Sequence, residues 1–233
     1  MNDFVSQSLQ VCCRNEDLLL HPKRVMYWPA GKTLFAADIH AGKEHVFARS
    51  GIAIPSGISE HILQDLFALC DASGADRLVV LGDFVHSTPL SSEAWLSTLS
   101  SLLDDRPVLS VRVIAGNHDT ARAQETIDPR IGWQKDSEQL GPFVLRHAPG
   151  DDTRGYLLSG HLHPTWRLSS GGRHSVRAPV FWFRQHHAVL PAFGSFTGGM
   201  SITPDEHHDR LYMVGNDCVM QVPVRTARRY RKR

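Results

Sequence analysis

Three short apolar runs in the first half of the chain, at 33–37 (TLFAA), 77–81 (RLVVL) and 108–115 (VLSVRVIA), each stop at a polar cluster and are separated by amphipathic stretches. Runs of this length, β-branched and bounded by turn residues, predict strands. Between them, Ile58, Ile62, Leu66 and Leu69 recur at helical spacing, which predicts a helix over 58–71 with Gly74 beyond its end. A second helix is predicted over 92–103, stopped by Asp104 and Asp105 before Pro107. Strand–helix–strand–helix–strand argues an α/β fold. The second half changes character, with runs at 141–147, 156–159, 180–183, 188–193, 211–214 and 219–222 that predict a strand-rich region. Two sheets in one domain are therefore expected over 1–224, since no Pro/Gly/Ser stretch is long enough to act as a linker.

Composition narrows the function classes. A chain of 233 residues with 42% hydrophobic and 21% charged residues can bury a core without disulfides or structural zinc. Its apolar runs are too short for a membrane span of roughly 20 residues. The start, MNDFVSQSLQVCCR, lacks the pattern of a secretory signal, and the four cysteines show no CxxC spacing. A cytoplasmic protein with reduced thiols is expected. Six of the 25 basic residues fall in 225–233, leaving 19 bases against 24 acids in 1–224. An acidic body with a basic tail suits an anionic partner such as nucleic acid.

The polar clusters carry the chemistry. In chain order they are Asp38-Ile-His40, Gly82-Asp83-Phe84-Val85-His86, Gly116-Asn117-His118-Asp119, Arg146-His147 and Gly160-His161-Leu162-His163. Each follows an apolar run, and the carboxyl ends of strands are where α/β sheets build their sites. Two divalent cations about 3.5–4 Å apart need a bridging carboxylate with imidazole and oxygen ligands around it. Asp83 is the natural bridge. Asp38, His40 and His163 can complete one metal, and Asn117, His147 and His161 the other. Oxygen and imidazole donors without thiolate suit Mn²⁺, Fe²⁺ or Zn²⁺.

The order DxH, GDxxH, GNHD, a lone His and GHxH resembles the binuclear metallophosphoesterase (calcineurin-like) superfamily. That resemblance implies a four-layer αββα sandwich of two mixed β-sheets flanked by helices. The second motif, GDFVH, is similar to that of double-strand-break repair nucleases and lacks the GDxxDRG of protein phosphatases. The stretches VMYWPAGKTLFAADIHAGKEHVFARSGIAIPSG and LPAFGSFTGG look like the bacterial ligase-associated DNA damage response endonucleases. Together these imply a two-manganese endonuclease on single-stranded DNA, in repair, beside a DNA ligase and a helicase. The competing expectations are a small-molecule phosphodiesterase or nucleotide pyrophosphatase, and a metal-free binding scaffold.

In the reaction that the resemblance implies, the metals acidify a water for attack on phosphorus and His118 protonates the leaving oxygen, with Asp119 keeping His118 protonated. His86 is expected either to touch the phosphate or to serve a local helix start. Lys43 can meet a phosphate. Strand alternation points Arg146 away from the metals. The pairs His186–His187 and His207–His208 face opposite ways on extended chain and are expected to be structural. Trp182 and Phe183 lie in a predicted strand, and these two and Trp166 are expected in the core rather than stacked on bases.

Overall fold

The computed structural model describes residues 3–169 and 175–224, so the basic tail and His174 lie outside the described residues. Its first sheet runs in chain order through β1 (Leu9–Cys13), β2 (Glu16–Leu20), β3 (Met26–Trp28), β4 (Thr33–Ala36), β5 (Arg77–Val80), β6 (Ser110–Ile114) and β7 (Gly132–Gln134). Neighbours are antiparallel from β1 to β4 and parallel from β4 to β7. The helices are α1 (Asp3–Gln7), α2 (Lys43–Arg49), α3 (Ile58–Ser73), α4 (Ala94–Asp104) and α5 (Ala121–Gln124). The second sheet contains β8 (Ser137–Leu140), β9 (Phe143–Arg146), β10 (Tyr156–Ser159), β11 (Pro164–Ser169), β12 (Ser175–Phe183), β13 (His187–Val189), β14 (Met200–Ser201), β15 (Arg210–Val214) and β16 (Val219–Val222). It is ordered β14-β11-β12-β13-β10-β9-β8, with β15 on β12 and β16 beyond it. β9, β10 and β13 are parallel; most of its other pairings are antiparallel.

Period-two alternation sorts the strand side chains into layers. Leu34, Ala36, Leu78, Val80, Val111 and Val113 face the helices, meeting Leu63, Leu66 and Phe67 of α3 and Trp95 and Leu99 of α4. Their alternates Phe35, Val79 and Ile114 join Phe143, Leu145, Leu158, Phe181 and Phe183 between the sheets. Fully buried Phe35 meets Phe143 edge-on, with ring centroids 6.4 Å apart. Truncating a core phenylalanine to alanine costs about 3–5 kcal/mol, so this contact helps fix how the two sheets meet. The fold is thus α/β, two mixed sheets flanked by helices, as expected. The described helices lie on the side of the first sheet. On the second sheet's outer side, Val180, Trp182, Val189, Leu211 and Met213 pack with Ile202, Trp166 and Leu168. Trp182 and Phe183 are core residues, as read from their strand positions. No described helix is long and apolar enough to cross a membrane.

The differences from the sequence reading are local. α3 runs two residues past Asp71 before the expected stop at Gly74, which takes φ 73°. α4 starts at Ala94 because Ser92 lies in a turn and Glu93 caps the helix with its backbone. The run at 108–115 contracts to Ser110–Ile114, with Val108 87% exposed in the preceding turn. The strand expected at 180–183 begins at Ser175, where its first half pairs with β11. The run at 188–193 is a strand only as far as Val189. Its remainder crosses to the first sheet, where Phe193 N–H donates to the Ala37 carbonyl (2.8 Å).

Candidate metal centre

Because β4, β5 and β6 are parallel, their carboxyl ends deliver Asp38, Asp83 and Asn117 to one edge. The parallel pair β9 and β10 delivers His147 and His161 to the facing edge, and backbone hydrogen bonds join these ends, Gly160 N–H to the His147 carbonyl at 3.0 Å and Gly194 N–H to the Asp38 carbonyl at 3.1 Å. Ten described non-glycine residues have positive φ, and five are candidate ligands: Asp38 (54°), His40 (52°), Asp83 (49°), His161 (71°) and His163 (45°). Such backbone costs of order 1–3 kcal/mol per residue and persists where the surroundings over-determine it. Gly82 shows the crowding: its φ is 85°, and a Cβ there would collide with the His147 ring. A Cβ at Gly116 would strike Asp83.

The first set gathers around Asp38, which is fully buried. Its carboxylate accepts from the His161 N–H at 2.9 and 3.1 Å, and His163 Nε2 lies 3.4 Å from its Oδ1. His163 Nδ1 faces the Thr197 carbonyl at 3.0 Å and donates to it, so in the neutral ring the lone pair is on Nε2, facing Asp38. His40 completes the set, with Nε2 3.8 Å from Asp83 Oδ2.

The second set gathers around Asp83. Its Oδ1 accepts from the His118 N–H (3.0 Å), and its Oδ2 lies 3.6 Å from His147 Nε2. His147 Nδ1 donates to the Leu81 carbonyl (3.1 Å), so its Nε2 also carries a lone pair. That nitrogen stands 3.1 Å from Asn117 Oδ1 and 2.9 Å from Nδ1 of the exposed His161.

These atoms fit metal ions on their own chemistry. Carboxylate and amide oxygens converge with imidazole lone pairs, an arrangement that repels unless a cation sits among them. At ligand distances of roughly 2.0–2.2 Å, atoms around one ion lie about 3–3.5 Å apart, close to the spacings here. His147 and His163 each give their second nitrogen to a main-chain carbonyl, the usual support of a ligating histidine. Asp38, His40 and His163 can therefore hold one ion, and Asp83, Asn117, His147 and His161 a second. The pairs His186–His187 and His207–His208 enter no such cluster among the described residues.

A third group adjoins them. His86 stacks on His118 with centroids 4.8 Å apart, and both lie edge-on to His40. His86 therefore belongs to the centre and caps no helix, since α4 begins eight residues later. Burial, with the Lys43 ammonium alongside, pulls His86 down to about 4. Burial and the same lysine, with His118, His163 and His86, hold His40 lower still, at about 2. Both rings are neutral at neutral pH. Lys43, partly buried, is thus close enough for its charge to reach the centre.

One expectation needs correction. Asp119 does not hold the proton of His118: its carboxylate accepts backbone N–H bonds from Phe84 (3.2 Å), Val85 (3.0 Å) and Gly116 (2.9 Å). Burial pushes its carboxyl up against the opposing pull of those three donors. His118 Nδ1 instead faces the His86 carbonyl at 2.8 Å. The sequence reading also gave no role to Thr197, whose carbonyl fixes His163.

Comparison with known proteins agrees with this geometry. Residues 31–217 match the family described as Calcineurin-like phosphoesterase. The structure resembles that of the Pseudomonas putida nuclease MPE, with 31% identity, 92% of this chain and 100% of that one covered, and a TM-score of 0.77. It also aligns with a protein of unknown function from Aquifex aeolicus, at 20% identity over 60% of this chain and 81% of that one, with a TM-score of 0.39. No curated protein sequence matches the chain. With the family match spanning most of the chain and a donor set that fits the two-metal site its family uses, the chain belongs to the calcineurin-like phosphoesterase family and is a metal-dependent phosphoester hydrolase.

Proposed function

We propose that this hydrolase is a manganese-dependent endonuclease that cuts phosphodiester bonds in single-stranded DNA. The observation that carries the reading is the pair of ligand sets meeting at Asp83, with His118 beside them, in a chain so similar to a nuclease along its length. Asp38, His40 and His163 hold one ion and Asp83, Asn117, His147 and His161 the other. Manganese suits the mix of oxygen and imidazole donors. The bound ions supply Lewis acidity, which activates water and neutralises charge on the phosphoryl oxygens.

The remaining work falls to the chain's own side chains. His118 donates a proton from Nε2 to the departing deoxyribose oxygen, while its Nδ1–H stays bonded to the His86 carbonyl, which sets the ring's orientation. His86 is neutral and stacked on His118, so it can hydrogen-bond a phosphate oxygen without competing for the proton. Asp119 acts through position, tying the 84–85 backbone to the loop that carries Asn117 and His118. Residues 1–224 act as one catalytic domain in the cytoplasm, with the 225–233 tail as an added anionic-partner contact. The setting is DNA repair, beside a DNA ligase and a helicase.

The test is single-stranded circular DNA incubated with Mn²⁺ and the wild type, Asp83→Ala or His118→Ala. Cutting by the wild type that both substitutions abolish supports the reading, because a circle offers no end to an exonuclease. Intact circles beside hydrolysis of an aryl phosphodiester would move the assignment to a small-molecule phosphodiesterase.

A further inference from the structure

A cavity of about 460 Å³ borders the segment that clasps the metal centre, lined among others by Lys23, Arg24, His61, Asp65, Ser195 and Phe196. The shared wall is short: Gly194 N–H donates to the Asp38 carbonyl (3.1 Å), and the Thr197 carbonyl fixes His163 (3.0 Å). Phe196 lies between these two anchors, 60% exposed and at φ 58°. An exposed aromatic on left-handed backbone gains nothing from the core, and the anchors on either side hold it there.

On the same cavity, the partly buried Arg24 donates to the Ala192 carbonyl (3.1 Å) and has no carboxylate within ion-pair distance among the described residues. Among the described residues, the Lys23 side chain has only an open pair with Asp65, at 3.4 Å and with both side chains 60% exposed. Such a pair contributes little and leaves the ammonium available. His61 Nδ1 faces the Gly57 carbonyl at 2.6 Å.

We propose that this cavity binds an unpaired nucleic-acid strand next to the scissile bond, with Phe196 stacked on a base and Arg24 and Lys23 on backbone phosphates. The inference deepens the nuclease reading and rests on it. An aromatic face beside cations that lack strong internal partners is the pairing that sequence-tolerant single-strand binding uses. The anchors give it a further consequence, because a base on Phe196 sets the strand against the backbone that holds Asp38 and His163.

The test is fluorescence anisotropy of a labelled single-stranded 12-mer with the full chain, without divalent cation so that nothing is cut. Phe196→Ala is expected to weaken binding by roughly 5- to 100-fold, and Phe196→Trp to restore it to within about twofold. Arg24→Gln should weaken binding about tenfold and flatten the log–log salt slope by about 0.7. Unchanged affinity in both Phe196→Ala and Arg24→Gln overturns the inference, and if the wild type still cuts circles the nuclease reading stands without it. A wild type that neither binds the 12-mer nor cuts circles overturns both. Sedimentation showing that a second copy of the chain fills the cavity overturns the inference as well.

Discussion

The Asp38–His40–His163 set and the Asp83–Asn117–His147–His161 set meet along one seam, yet they are held differently. All three residues of the first set take left-handed backbone, and Asp38 and His40 are buried. In the second, Asp83 and His161 share that backbone but Asn117 and His147 do not, and although Asp83 and His147 are buried, His161 is exposed. A set whose geometry is already imposed by the fold loses less freedom when it binds, so preorganisation favours the first. The first set is thus expected to hold its cation more tightly, and the second to exchange its own with solvent.

The most severe way to break this comparison is Asp83→Ala. It should abolish cutting and leave about one equivalent of manganese after dialysis, read by elemental analysis; two retained equivalents would show that Asp83 does not join the sets. Next in size, His118→Ala should lower kcat by roughly 10²–10⁴-fold while both equivalents stay bound. Loss of metal in that variant would make His118 a ligand. The sharpest contrast pits His161→Ala against His163→Ala in a chelator titration. The first should keep one tightly held equivalent, and the second should lose that ion at about 10–100-fold lower chelator. Equal curves would erase the distinction between the sets.

The smallest effect uses a buried imidazole away from the metals. His21 stacks on Phe4 with centroids 4.5 Å apart, and burial pulls it down to about 4. Its unfolded counterpart takes a proton near 6.5, so between those values the unfolded chain binds more protons. Stability is therefore present above about pH 6.5 and falls as the pH is lowered toward 4, by up to roughly 3 kcal/mol. His21→Phe should flatten that part of the profile, measured by urea unfolding across the range. An unchanged slope would assign the acid sensitivity to the imidazoles of the centre.

What the sequence made legible, and what it hid, divides along physical lines. The strands ending at Asp38, Asp83 and Asn117 were readable because β-branched runs and their polar ends are side-chain patterns. The β1–β2 hairpin was not, since Glu16–Leu20 buries three successive residues and shows no alternation. At the centre, candidate ligands were legible as residue types, and the structure brings them together. Their supports were not. The imidazoles of His118, His147 and His163 lean on the carbonyls of His86, Leu81 and Thr197, and every residue carries a carbonyl. The mistaken role for Asp119 came from the same blindness, because a neighbouring carboxylate looks like a partner while competing backbone donors are invisible.

The seam between the sheets also orders events in time. The Asp38 carboxylate and the His161 amide that bonds it are separated by 123 positions, and Arg24 reaches Ala192 across 168. On a ribosome adding about 5–20 residues per second, the interval between Asp38 and His161 is on the order of 10 s. Throughout that interval a nascent chain lacks His161 and His163, one candidate ligand from each set. If both sets hold metal, loading would wait until residues as late as Thr197 have left the exit tunnel and docked, and a translation product aborted earlier would be inert.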